Sequence, residues 1–145
     1  MEDFLGILRD HGVGRIVDVR TITRSRRNPQ FNQDSLSASL SESGIDYLLM
    51  KHLGGLRHPR SDSPNMGWRN LAFRGFADYM QTREFDVAID DLIKVAKDRT
   101  PAIMSAEILP WRCHRSLIAD ALVVRGIEVE HIMTLKNRRK HTLTK

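Results

Sequence analysis

"RIVDVR", residues 15–20, decides the fold. Its centre is β-branched and apolar, and it closes on the charged residues Asp18 and Arg20, as a buried strand does when it emerges at the edge of a sheet. Three later stretches share that character: "IDYLLM" at 45–50 after a Ser-Gly break, "PAIMSA" at 101–106 after "KDRT", and "IEVEHIM" at 127–133 after Arg125-Gly126. Between them the apolar spacing turns helical. Phe4, Leu5 and Leu8 share one face of an opening helix that Gly12 stops, and Leu36 and Leu40 outline a second, with Asn32 or Asp34 as N-cap and Gly44 behind it. The longest helical pattern covers 76–97, where Thr82 is placed to cap a second helix within it; the last runs from about His114 to Val124 with Gly126 as its stop. Strands alternating with helices predict an α/β domain built on a mostly parallel sheet of about four strands. The runs "YLLM" and "AIM" are apolar on both faces, so helices are expected on both sides of the sheet.

At 145 residues the chain fits one such domain, taken as 1–135, followed by a basic tail at 136–145. Apolar residues at 41% and charged residues at 28% exclude a disordered chain. No apolar run approaches the ~18 residues that a membrane span needs, and "MEDFLGILRDHG" lacks the basic start and cleavage site of a signal peptide. The single cysteine excludes an internal disulfide framework and fits a reducing compartment. A cytoplasmic protein that does not meet the membrane is expected. The net charge of +5 is concentrated in "RTITRSRR" at 20–27 and "KNRRKHTLTK" at 136–145, a balance that suits nucleic acid or a phosphorylated small molecule equally. The longest irregular stretch is 53–75, long enough to suggest a functional loop.

In open α/β sheets, ligands gather beyond the carboxyl ends of the strands. After the first strand stand Asp18, Arg20 and Arg26; after the second, Gly54 and Gly55; after the third, Glu107 and then Cys113-His114-Arg115-Ser116 at the start of the last helix. A helix N-terminus favours an anion and also favours a thiolate, and Arg115 and Ser116 add a charge and a hydroxyl donor. Cys113 is therefore a candidate nucleophile, with Glu107 or His114 handling protons. The bland alternative is a thiol that fills a gap beneath the helix. Asp18 either orients Arg20 or works as an acid or base. Gly54-Gly55 permits a tight turn or a close approach but lacks a dinucleotide or phosphate-loop spacing. Tyr79, near Arg74 and Phe76, either stacks a ligand or belongs to the core. A phosphatase or sulfurtransferase loop would want arginine where the chain has Ala119. The histidines at 11, 52, 58, 114, 131 and 141 form no metal-binding spacing with one cysteine, so no metal is expected.

"VDVRTITRSRRNPQFN", "GIDYLLMKHLGGLR", "FRGFADYMQTREF" and "MSAEILPWRCHRSLIADALVVRGIEVEHI" resemble, in order, the domain-of-unknown-function 488 family across nearly the whole chain. The most specific matches are Asp18-Val19-Arg20, Leu53-Gly54-Gly55, Gly75 to Met80, Ala106-Glu107 and Cys113-His114-Arg115. The resemblance implies an α/β sandwich without a settled activity or cofactor, and points to Asp18, Arg20, Gly54, Gly55, Tyr79, Glu107, Cys113, His114 and Arg115. Many relatives carry a cysteine where this chain has Ser105, which argues against a two-thiol mechanism here. Relatives usually begin one strand earlier, so either the true start lies upstream or this chain lacks that strand. A sheet lacking that strand would offer an open backbone edge, for which a homodimer is one cover.

Three functions fit these observations. One is an enzyme with an anion-binding pocket at the strand ends, acting on a phosphorylated or nucleotide-like small molecule. The second is a non-catalytic nucleic-acid-binding accessory domain, and the third a ligand-sensing module that uses the same pocket.

Overall fold

A computed structural model of the chain describes residues 2–24, 26–55, 71–97, 99–105, 114–132 and 138–141. Its elements are α1 (Glu2–Asp10), β1 (Arg15–Asp18), α2 (Gln33–Glu42), β2 (Asp46–Leu49), α3 (Leu71–Tyr79), α4 (Arg83–Val95), β3 (Pro101–Met104), α5 (Arg115–Val124), β4 (Glu130–Ile132) and β5 (Arg138–Lys140). β1 is the central strand of a parallel sheet of order β2-β1-β3, with Val17 opposite Leu48 on one side and Ile103 on the other.

Alternation along β1 divides the core in two. Val17 and Val19 turn toward a cluster built with Phe76, Phe85, Ile89, Leu92 and Ile118 of α3, α4 and α5. Ile16 turns the other way, toward Leu5, Leu8, Leu36 and Leu40 of α1 and α2. Both faces of the sheet are covered, as its apolar strands require.

Local chemistry sets the helix ends. Gly12, Gly44 and Gly126 all take positive φ, +69°, +73° and +83°, at the stops after α1, α2 and α5, where a side chain would be strained. Thr82 divides α3 from α4: its hydroxyl oxygen accepts from the Phe85 N–H at 3.3 Å and donates to the Tyr79 carbonyl at 2.7 Å. α3 begins at Leu71, inside the stretch whose sequence shows no periodicity, and residues 56–70 of that stretch lie outside the described residues.

The expected fourth strand forms at Glu130–Ile132, but among the described residues it pairs antiparallel with β5 rather than joining the parallel sheet. Its polar alternation explains this: Glu128 and Glu130 are exposed, which suits a ribbon with one wet face and not a strand covered on both. The basic segment at the C-terminus thus contributes a strand, and His141 behind it is buried. No helix among the described residues is long and apolar enough to cross a membrane.

Candidate functional site

The strand order places a topological switch point. From β1 the chain passes through α2, on one face, to its neighbour β2; from β2 it returns through α3 and α4, on the other face, to β3 on the far side of β1. The neighbours β1 and β3 lead into helices on opposite faces, α2 after β1 and α5 after β3, and ligands of such sheets bind at that reversal of strand order. Here that position is the carboxyl end of β1 and β3, at Asp18 and Met104, where the Val19 N–H donates to the Met104 carbonyl at 3.0 Å.

Asp18 is fully buried at this edge and collects four donors. Arg20 gives it its backbone N–H at 3.0 Å, its Nε at 3.0 Å to Oδ1, and its Nη2 at 2.8 Å to Oδ2. The Tyr47 hydroxyl donates to Oδ2 at 2.5 Å. Tyr47 reaches Asp18 because β2 lies beside β1, with Tyr47 in register with Ile16 on the face that Asp18 also shares. Arg20 is itself almost wholly buried. Burial works against its charge, but the hydrogen bonds and charge of Asp18, helped by Tyr47, outweigh it and hold the guanidinium above its ordinary value. For Tyr47, burial comes first; it and the adjacent Asp18 push the phenol above its ordinary value while Arg20 pulls the other way. The hydroxyl therefore stays protonated and can donate.

The planar guanidinium has donors on two edges. Asp18 takes the Nε–Nη2 edge. The Nη1 end points away from Asp18.

A second group of residues meets on the opposite face of the same edge. The chain leaving β2 makes a short 3-10 turn at Lys51–Leu53 and arrives at Gly54-Gly55. His114, at the N-cap position of α5, donates through Nε2 to the Leu53 carbonyl at 3.0 Å and lies against Phe76, with ring centroids 5.1 Å apart. The carbonyl can only accept, so Nε2 carries the proton in this arrangement. A Cβ on Gly55 would lie 2.5 Å from His114 Nδ1, and a Cβ on Gly54 would lie 2.5 Å from Thr21 Oγ1. Neither glycine takes a positive φ. Both are needed for space: Thr21 from the β1 side and His114 from α5 close on the backbone of this turn. The contacts run from Thr21 through Gly54 and Gly55 to His114 and bring Arg20 and Arg115, one residue further along at either end, to the same edge of the sheet.

Other expected site residues sit elsewhere. Ser116 is buried and Arg115 half-buried in the first turn of α5. Arg26 is exposed on the segment between β1 and α2. The Tyr79 ring lies in the core, 6.0 Å from Phe76 and 5.8 Å from Phe85. Glu107 and Cys113 lie outside the described residues, on the stretch joining β3 to α5. Among the described residues no group of three or more acidic, histidine or cysteine side chains is placed to hold a metal ion. Tyr47 and Thr21 were not signalled by sequence. Alternation gives Tyr47 a face, but only the pairing of β2 with β1 sets it against Asp18.

The sequence matches the family described as Domain of unknown function DUF488 over residues 1–122. The chain belongs to that family. No curated protein and no solved structure matches it. The DUF488 match includes every residue of both clusters and stops within α5, ahead of the β4–β5 ribbon.

Proposed function

We propose that this DUF488 domain binds a small anionic ligand, of the phosphate-ester class, across the carboxyl edge of its sheet, with Arg20 as the residue that grips the anion. The observation that carries this reading is the state of Arg20: buried, charged, and fixed along its Nε–Nη2 edge by Asp18 at the carboxyl end of β1. Preorganisation of this kind lowers the ordering cost of a bidentate or end-on contact to a phosphate oxygen. Asp18 also neutralises part of the Arg20 charge, so the remaining attraction comes from Arg115 and the α5 N-terminus on the opposite face. A ligand that lies over the edge meets both.

In this reading Asp18 and Tyr47 are positioning residues, and Gly54, Gly55 and His114 form the wall of the site. Any chemistry falls to Glu107, Cys113 and His114, and turnover is a separate question from binding.

The test is calorimetric titration of the protein with inorganic phosphate, pyrophosphate and nucleoside monophosphates, and with short oligonucleotides at low and high salt. Replacement of Arg20 removes charge-assisted hydrogen bonds worth about 1.5–3 kcal/mol, or roughly a 10- to 150-fold loss of affinity. The double variant Asp18→Asn with Arg20→Gln keeps the pair neutral and serves as the folded control. Phosphate-ester binding that survives in this variant would overturn the assignment. Binding confined to oligonucleotides, weakening steeply with salt and lost with Arg24, Arg26 and Arg27, would replace it with the accessory-domain reading.

A further inference from the structure

Away from that edge, three titratable side chains form a hydrogen-bonded chain that joins the β4–β5 ribbon to α5. His141 lies just past β5 and is buried; its Nε2 meets Asp120 Oδ1 of α5 at 2.6 Å, and its Nδ1 meets His131 Nε2 of β4 at 2.8 Å. The two imidazole rings stand edge to face, with centroids 4.9 Å apart. The His141 backbone N–H donates to the Val129 carbonyl at 2.8 Å, so the two strands are fastened to each other at this end of the ribbon.

We propose that Asp120, His141 and His131 form a proton-operated latch that holds the β4–β5 ribbon against α5 at neutral pH and releases it on acidification.

The argument is a count of protons. The Asp120 carboxylate accepts, so His141 Nε2 carries a hydrogen. Between His141 Nδ1 and His131 Nε2, at 2.8 Å, there is room for one hydrogen. With both rings neutral, His131 Nε2–H donates to the bare Nδ1 of His141. With one ring charged, the same single hydrogen lies between the two nitrogens and Asp120 balances the charge. With both rings charged, two N–H groups face each other across the contact, and it must open.

The second proton is added against the charge that the pair already carries, so it enters only on acidification. Asp120 is already engaged by His141, and Glu130 neighbours His131 on β4. Among the described residues, the ribbon's ion pair of Lys140 with Glu128, at 3.9 Å, is exposed and weak. α5 also carries Arg115 and the His114 contact at its first turn, so release of the ribbon removes a brace from the helix that supports the candidate site.

Amide hydrogen exchange on the full chain between pH 7.5 and 5, corrected for intrinsic rates, tests the latch. Protection at 130–132 and 138–141 should fall by up to about tenfold per pH unit once the second proton is taken up, while the amides of β1 and β2 hold theirs. His131→Gln keeps a donor but cannot take the charge, and should flatten that dependence. Imidazole nitrogen shifts of the unaltered protein give a second readout: at neutral pH His141 should be protonated on Nε2 with one hydrogen shared at the ring–ring contact. Ribbon protection independent of pH, an equal slope in His131→Gln, or a His141 tautomer with bare Nε2 would overturn the proposal.

Discussion

Replacing Arg20 with Gln should destabilise the fold far more than loss of a surface ion pair. Asp18 is fully buried, and only 8% of the Arg20 side chain is exposed, so solvent cannot take over the solvation that Arg20 provides. Of the four donors around the Asp18 carboxylate, the guanidinium supplies two; the Arg20 backbone N–H and the Tyr47 hydroxyl remain in the variant. Breaking a buried pair costs about 3–5 kcal/mol when a charge is left uncompensated, and the two surviving donors place this case near 3. For a chain of this length that corresponds to a fall in Tm of roughly 6–12 °C. Asp18→Asn combined with Arg20→Gln removes the stranded charge and should recover more than half of the loss, as a double-mutant cycle in urea would show. A change in Arg20→Gln below about 1 kcal/mol, the range of exposed pairs, would refute the claim that this pair is desolvated.

Gly55→Ala should cost about 1–3 kcal/mol, because the new Cβ would lie 2.5 Å from His114 Nδ1 and displace the ring from the Leu53 carbonyl; chemical denaturation within about 0.5 kcal/mol of the parent would show that the ring moves freely. Tyr47 makes the alkaline limb of stability asymmetric. Its phenol is raised above the ordinary value, so its contribution is complete below about pH 10 and is lost as pH climbs toward the folded value. Tyr47→Phe should therefore lose stability less steeply above pH 10 than the parent, and parallel slopes would contradict the bond to Asp18.

The parallel core was legible because its signals are local. Short apolar runs at 15–20, 45–50 and 101–106, and stops at Gly12, Gly44 and Gly126, each act within a few residues. Thr82 was readable for the same reason, since a cap serves its own helix. Asp18 and Arg20 were readable as a pair because they are two residues apart on one strand face. Tyr47 was not, because its partner is set by which strands lie side by side. β5 was hidden for a different reason: Arg138–Lys140 has no apolar member, and its pairing is dictated by β4 rather than by its own pattern. The histidine chain was hidden likewise, since His131 and His141 meet only once that ribbon closes and Asp120 comes from another element. The strand order that sets the switch point between β1 and β3 rests on pairing alone.

The central claim is that Asp18 fixes one edge of Arg20 and leaves the other for an anion. Arginine side-chain NMR of the unaltered protein, with and without pyrophosphate, tests it most directly. The account predicts one slowly exchanging Nε–H resonance that disappears in Arg20→Gln, and movement of the Arg20 Nη signals on adding pyrophosphate while that Nε–H stays protected. An Arg20 Nε–H that exchanges as fast as those of exposed arginines, or Nη signals that ignore pyrophosphate, would contradict it.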